Sequence, residues 1–145
     1  MRFTIRDLLW LICAVLMASN AAAAQEAEYT AEGEAFGVSY SSYVFRESLE
    51  KTPRWERNAE HPPVSARRAL RIAEKEAGIV SAREGYERRV HQVALVPVRD
   101  RWIWEVSFIW KGRVGGGTGI PDYLQVIILM DGSAIKPTPD GQRRH

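Results

Sequence analysis

The most regular stretch of the chain alternates. Trp102, Trp104, Val106, Phe108 and Trp110 share one parity, and Ile103, Glu105, Ser107 and Ile109 share the other. Successive side chains of a strand point to opposite faces, so this pattern predicts a strand with a tryptophan-rich core face. Tyr123 to Met130 is almost continuously apolar and predicts a second strand. Asp131-Gly132 then reads as a favoured two-residue hairpin turn, with Ser133 to Ile135 starting a short return strand. Valine-rich Val90 to Val98 predicts a further strand, Pro97 marking an edge or a strand end, and Asp100-Arg101 reads as a short turn after it. Nearer the N-terminus, Phe36, Val38 and Tyr40, then Tyr43 and Phe45, predict a strand with a slip, a bulge, near Ser41-Ser42.

A different period follows Pro62-Pro63. Ala66, Ala69, Leu70, Ala73 and Ala77 form one helical stripe with Ile72 at its margin. Ser65 is placed to cap that helix, because its hydroxyl can accept a bond from an orphan amide of the first turn. Gly78 reads as the residue that ends it with φ > 0. Arg67, Arg68, Arg71, Glu74, Lys75 and Glu76 occupy the remaining face. The expected fold class is therefore α+β, one main helix packed on a curled antiparallel β-sheet. The expected organisation is a signal segment at 1–24, an acidic mobile leader at 25–34, one domain at 35–137 and a disordered tail at 138–145. Within the domain, Arg46 to Pro63 reads as a charged connection with one helical turn around Ser48 to Lys51.

The first 24 residues change the picture most. Arg2 and Arg6 precede the uncharged apolar run Leu8 to Ala18, and Ala22-Ala23-Ala24 gives an A-x-A cleavage pattern before Gln25. The run is shorter than the ~20 residues that span a bilayer core, although the alanines through Ala24 lengthen it. Two fates follow, cleavage near Ala24 with export to the periplasm or beyond, or retention as an N-terminal membrane anchor. Cys13, the one cysteine, lies inside this run behind Ile12, so a lipoprotein signal is not expected. Cleavage would leave no cysteine and no disulfide. The exported domain would then rest on core packing, which about 120 residues can supply.

Charge excludes one class. The chain carries 20 basic and 18 acidic residues, and without Arg2, Arg6 and Asp7 it is close to neutral. No nucleic-acid partner is expected. The acidic leader, with Glu26, Glu28, Glu32 and Glu34, has no apolar frame to organise those carboxylates.

No catalytic signature is recognised in the candidate stretches. The stretch WKGRVGGGTGIPD, Trp110 to Asp122, resembles a phosphate cradle, but Thr118 stands where a P-loop needs lysine. Pro121 leads into a strand, so no helix N-terminus follows to hold phosphate. As a hairpin connection it offers a partner-binding loop of Lys111, Arg113, Gly115, Gly116, Gly117 and Thr118. His61, His91 and His145 form no ligand spacing with one another, so neither a metal nor a cofactor is expected. Ser133 lacks a nucleophile-elbow context, and Glu105 has no evident partner carboxylate. Two arginine groupings, Arg67, Arg68, Arg71 and Arg83, Arg88, Arg89, are interleaved with glutamates and read as a solvated mixed-charge face.

Together, SARRALRIA (Ser65 to Ala73), WEVSF (Trp104 to Phe108) and YLQVIILMDGSAI (Tyr123 to Ile135) resemble the PepSY-type domain of exported bacterial proteins. The likeness covers roughly Pro63 to Pro137. It implies a non-catalytic envelope module that binds or restrains another protein, a protease among the candidates. The cystatin type also lays a helix across an antiparallel sheet, but its Q-x-V-x-G hairpin is only echoed by Gln92 to Val96, which lacks the glycine. The expected function is an exported module that binds a protein partner. A membrane-tethered structural domain and a small envelope enzyme without a recognisable motif are the alternatives.

Overall fold

A computed structural model describes residues 26–56, 58–78, 86–112 and 122–140. Within them the chain forms β1 (Tyr29–Ala35), β2 (Val38–Val44), α1 (Arg46–Glu50), α2 (Ala66–Ala77), β3 (Tyr86–Val98), β4 (Arg101–Gly112), β5 (Tyr123–Leu129), β6 (Ala134–Ile135) and β7 (Thr138–Pro139). The strands make one seven-stranded antiparallel sheet in the order β3-β4-β5-β1-β2-β7, with β6 also on β5. The expectation of one main helix on a sheet is overturned. Among the described residues strand dominates, and helix is confined to two short segments.

The reason lies in β1, all but the last residue of which falls in the stretch expected to be a mobile leader. Tyr29, Ala31, Gly33 and Ala35 face inward, while Thr30, Glu32 and Glu34 face solvent. This is a period-two strand whose inward residues are mostly too small to read as hydrophobic. Phe36 and Gly37 close the β1–β2 hairpin with φ of 56° and 76°. Positive φ at both central residues matches the right-handed twist of a two-residue hairpin. The register from Tyr29↔Val44 to Ala35↔Val38 is unbroken, so Ser41-Ser42 form no bulge and Phe36 belongs to the turn. The sheet's register shift lies instead in β3, between Val90 and Gln92. Thr138, expected to begin the tail, starts β7 on the far edge of β2.

Both faces of β4 and β5 are covered, which accounts for the nearly continuous apolar run of β5, broken only by Gln125. On one face Trp104, Val106, Phe108, Trp110, Leu124, Val126 and Ile128 meet Ala69, Ala73 and Ala77 of α2. Ser65 caps α2 as expected, accepting the Arg68 amide at 3.3 Å. Gly78 ends it in the right-handed region at φ −65°, not in the left-handed conformation expected. Its amide still reaches the carbonyls of Glu74 and Lys75, at 3.1 and 3.2 Å. On the other face Ile103, Ile127 and Leu129 pack under Ala31, Val44 and Leu49 from β1, β2 and α1.

β1 reaches both faces. Ala31 belongs to the second cluster and Ala35 to the first, so the strand changes sides between them. Gly33 sits at that crossing, where an added Cβ would lie 2.9 Å from the Tyr123 carbonyl oxygen and 3.0 Å from the Leu124 Cα. Only glycine lets the two backbones approach so closely. The β5–β6 connection is a three-residue loop and not the expected two-residue turn. Gly132 N–H donates to the Leu129 carbonyl at 2.9 Å, Leu129 N–H to the Ser133 carbonyl at 2.8 Å, and Gly132 has φ 89°.

No helix among the described residues is long and apolar enough to cross a membrane. The signal segment expected at 1–24, Arg83 and His145 lie outside the described residues.

Candidate functional site

The expected partner-binding loop is largely outside the described residues: only Lys111 is placed, and Arg113, Gly115, Gly116, Gly117 and Thr118 are not. Lys111 is exposed near the end of β4, opposite Glu87 in the register. His91 is exposed at the register shift of β3, and His61 is exposed beside Glu60. Among the described residues no group of three His, Cys, Asp or Glu side chains could hold a metal ion.

The two arginine groupings separate. Arg89 pairs with Glu87 at 2.8 Å, and the Arg88 guanidinium lies 5.4 Å from the Phe108 ring centroid. Their charges are engaged locally. The helix cations behave differently. Each helical residue turns by about 100°, which puts Arg68, Arg71 and Lys75 within about 60° of one another. Arg67 and Glu74 fall on the other flank by the same count. Arg68, Arg71 and Lys75, with Ile72 and Glu76, form one wall of a cleft of about 470 Å³, and Gly132 and Ala134 of the β5–β6 hairpin complete it.

Each part of that geometry follows from the chain around it. Ala69, Ala73 and Ala77 are buried against the sheet, while Ala66 at the head of the stripe is exposed. This fixes the roll of the helix, sets Ile72 and Glu76 on the flank beside β6 and leaves the cations on the outer face, with Arg68 reaching Gly132. Gly132 provides the opposite wall. A Cβ there would meet the Arg68 guanidinium at 3.2 Å, so the small residue leaves room for the cation. The interleaved glutamates do not neutralise the stripe. Among the described residues no ion pair involves Arg68, Arg71 or Lys75. Glu76 stands in the same wall, with one carboxylate oxygen out of solvent and without a hydrogen-bond partner.

Two features of α2 run against its own stability. Its first turn carries Arg67 and Arg68 and no acidic residue, although the positive end of a helix favours anions. Cations three and four residues apart on one stripe also repel each other. Local rules are commonly broken where a surface serves a ligand. The arrangement can attract, orient and hold a group with several negative charges.

A second concave region provides a control. Glu28, Arg46 and Arg99 line a space of about 490 Å³ near α1 and the β3–β4 turn. There Arg46 reaches Glu28 at 3.1 Å and Arg99 also pairs with it. Burial pushes the Glu28 carboxyl up, but the hydrogen bonds from Arg46 and Arg99 outweigh it and hold the group below its ordinary value. These cations already have their anion from within the chain. Those of α2 do not.

Between the faces lies one more polar group that sequence reading left unexplained. Glu105, on the hairpin-covered side of β4, accepts from the Tyr29 hydroxyl and from Gln125 Nε2, the latter at 3.1 Å. Gln125 Oε1 in turn accepts the Glu32 amide at 3.2 Å. Burial, then the hydrogen bond and charge of Glu105, push the Tyr29 phenol up to about 12. The partner of Glu105 is a tyrosine hydroxyl and not a second carboxylate. The group clasps β1 to β4 and β5. It is structural.

Comparison with protein-family models, with curated proteins and with solved structures finds no match.

Proposed function

We propose that this chain is an exported, non-catalytic module that holds a protein partner in the cell envelope, with the sheet as a rigid frame and the α2 cleft as the docking surface. The observation that carries the reading is the unpaired cation stripe Arg68, Arg71 and Lys75, set in a cleft between a helix and a hairpin that are both anchored on the core. Sites on rigid elements hold their geometry without ordering anything on binding. The basic n-region, apolar run and A-x-A pattern support export, and the PepSY-type resemblance supports the same role.

The test is crosslinking in the native envelope, with the full chain as bait beside a version carrying Arg68→Glu, Arg71→Glu and Lys75→Glu. The expected result is one dominant adduct that the folded reversal variant loses. An adduct of equal yield with both chains would remove the cleft from the interface, and no adduct at all would sink the module reading. The glycine loop is tested in parallel by replacing Gly115, Gly116 and Gly117 with alanine. Intact mass of the exported chain decides the membrane question. A start at Gln25 means cleavage, and a mass that includes the first 24 residues means a tethered domain.

A further inference from the structure

The geometry points to an acidic, extended peptide segment, glutamate or aspartate alternating with small apolar residues, as what the α2 cleft holds. This rests on the reading of that cleft as the docking surface and adds the chemistry of its occupant. The cations set the sign of the ligand. Arg68 and Lys75 are seven positions apart, about 10 Å along the helix axis. Same-side residues of an extended chain recur every ~7 Å. Two carboxylates of one strand therefore fall within the stripe, where each arginine can offer a forked pair of N–H donors.

Alternation also suits the rest of the cleft. A strand that points its acids at α2 turns the intervening side chains toward the other wall, where Gly132 and Ala134 offer no charged or hydrogen-bonding side chain and suit apolar groups. Ile72, half-buried in the helix wall, extends the apolar lining. Glu76 is the one anion in the lining. A peptide backbone brings N–H groups as well as carboxylates, so it can serve both signs. A bare phosphate cannot, because it meets Glu76 with like charge. The Glu28 region holds its own carboxylate between two arginines and needs no such guest.

The experiment titrates the full chain with a short synthetic peptide alternating glutamate and valine, with its glutamine counterpart, and with pyrophosphate. Affinity is read by calorimetry and the contact surface by backbone amide shifts. The expected result is binding of the glutamate peptide that weakens with salt and shifts amides in α2 and β6, with the glutamine peptide at least about tenfold weaker. Arg68→Gln with Arg71→Gln should weaken the glutamate peptide by about tenfold or more at unchanged circular dichroism, since both side chains are exposed. Should that pair disturb folding, Lys75→Gln alone should still weaken binding. Equal affinity for both peptides, shifts confined to β3, or a preference for pyrophosphate would each overturn the assignment. If a crosslinked partner is found that depends on the cleft but carries no acidic segment, this inference falls while the module reading stands. Absence of any partner removes the module reading itself.

Discussion

The two faces of β4 and β5 are built by opposite means. Under α2, large aromatic and branched side chains meet a row of alanines, and the fit is made by volume. Under the β1–β2 hairpin, the cover is mostly small or short: Ala31, Gly33, Ser42 and Val44, with Leu49 from α1. That side is fixed by a close backbone crossing at Gly33 and by polar clasps at Glu105 and Glu28. One face is held by burial, which is non-directional. The other is held by directed contacts, which specify where the hairpin sits more than they stabilise it. If that division is right, truncation should hurt most under the helix, and added volume should hurt most at the hairpin.

The largest effect is expected from Trp104→Ala. Trp104 is 8% exposed, and its indole N–H donates to the Val64 carbonyl at 2.7 Å. Removing it empties a large site and leaves that carbonyl without its donor. The loss should be about 3–5 kcal/mol in chemical denaturation. An unchanged midpoint would refute the volume account of this face.

Next comes Gly33→Ala. The added methyl would meet Tyr123 and Leu124 backbone atoms, which cannot swing aside as a side chain can. Overpacking of this kind should remove about 1–3 kcal/mol. Hydrogen exchange should show the loss first in the β1–β2 amides, while α2 stays protected. A neutral outcome would mean that the hairpin is free to ride away from β5 and that the crossing does not specify its position.

Glu105→Ala should do less, about 1 kcal/mol, because the group it removes is half-exposed and its partners Tyr29 and Gln125 can turn to water. A loss equal to that of Trp104→Ala would erase the distinction between the faces.

What the sequence made legible follows the same division. The parity of Trp104, Val106, Phe108 and Trp110, the alanine stripe and the Ser65 cap were readable because each is a local pattern in side-chain size or capping chemistry. β1 was not. Its buried residues are mostly alanine and glycine and its exposed ones carry glutamate, so composition pointed to a mobile leader where period two pointed to a strand. The α2 cations were visible as a stripe, but the sequence could not say that the β5–β6 hairpin returns beside them. Nor could it say that Glu87 is taken by Arg89. Neutralisation by nearby glutamates is a property of three-dimensional neighbours and not of sequence neighbours.

The smallest effect sharpens the comparison by pH. Tyr29 is held protonated by burial first and then by its bond to Glu105, which carries its pKa from 10.0 to about 12. A group raised above its unfolded value contributes stability that is complete below pH 10 and is lost as pH rises toward about 12. The hairpin side, which Tyr29 clasps, should therefore loosen in that window before the face under α2 does. Phenolate absorbance would show a late step centred near pH 12 for Tyr29. Tyr29→Phe should delete that late step and flatten the alkaline fall in hairpin protection. If the late step survives in Tyr29→Phe, the clasp at Glu105 is not what holds the phenol. A neutral contact would then fix the hairpin as it does the helix, and the contrast between directed and non-directional packing would shrink to the crossing at Gly33 and the Glu28 pair.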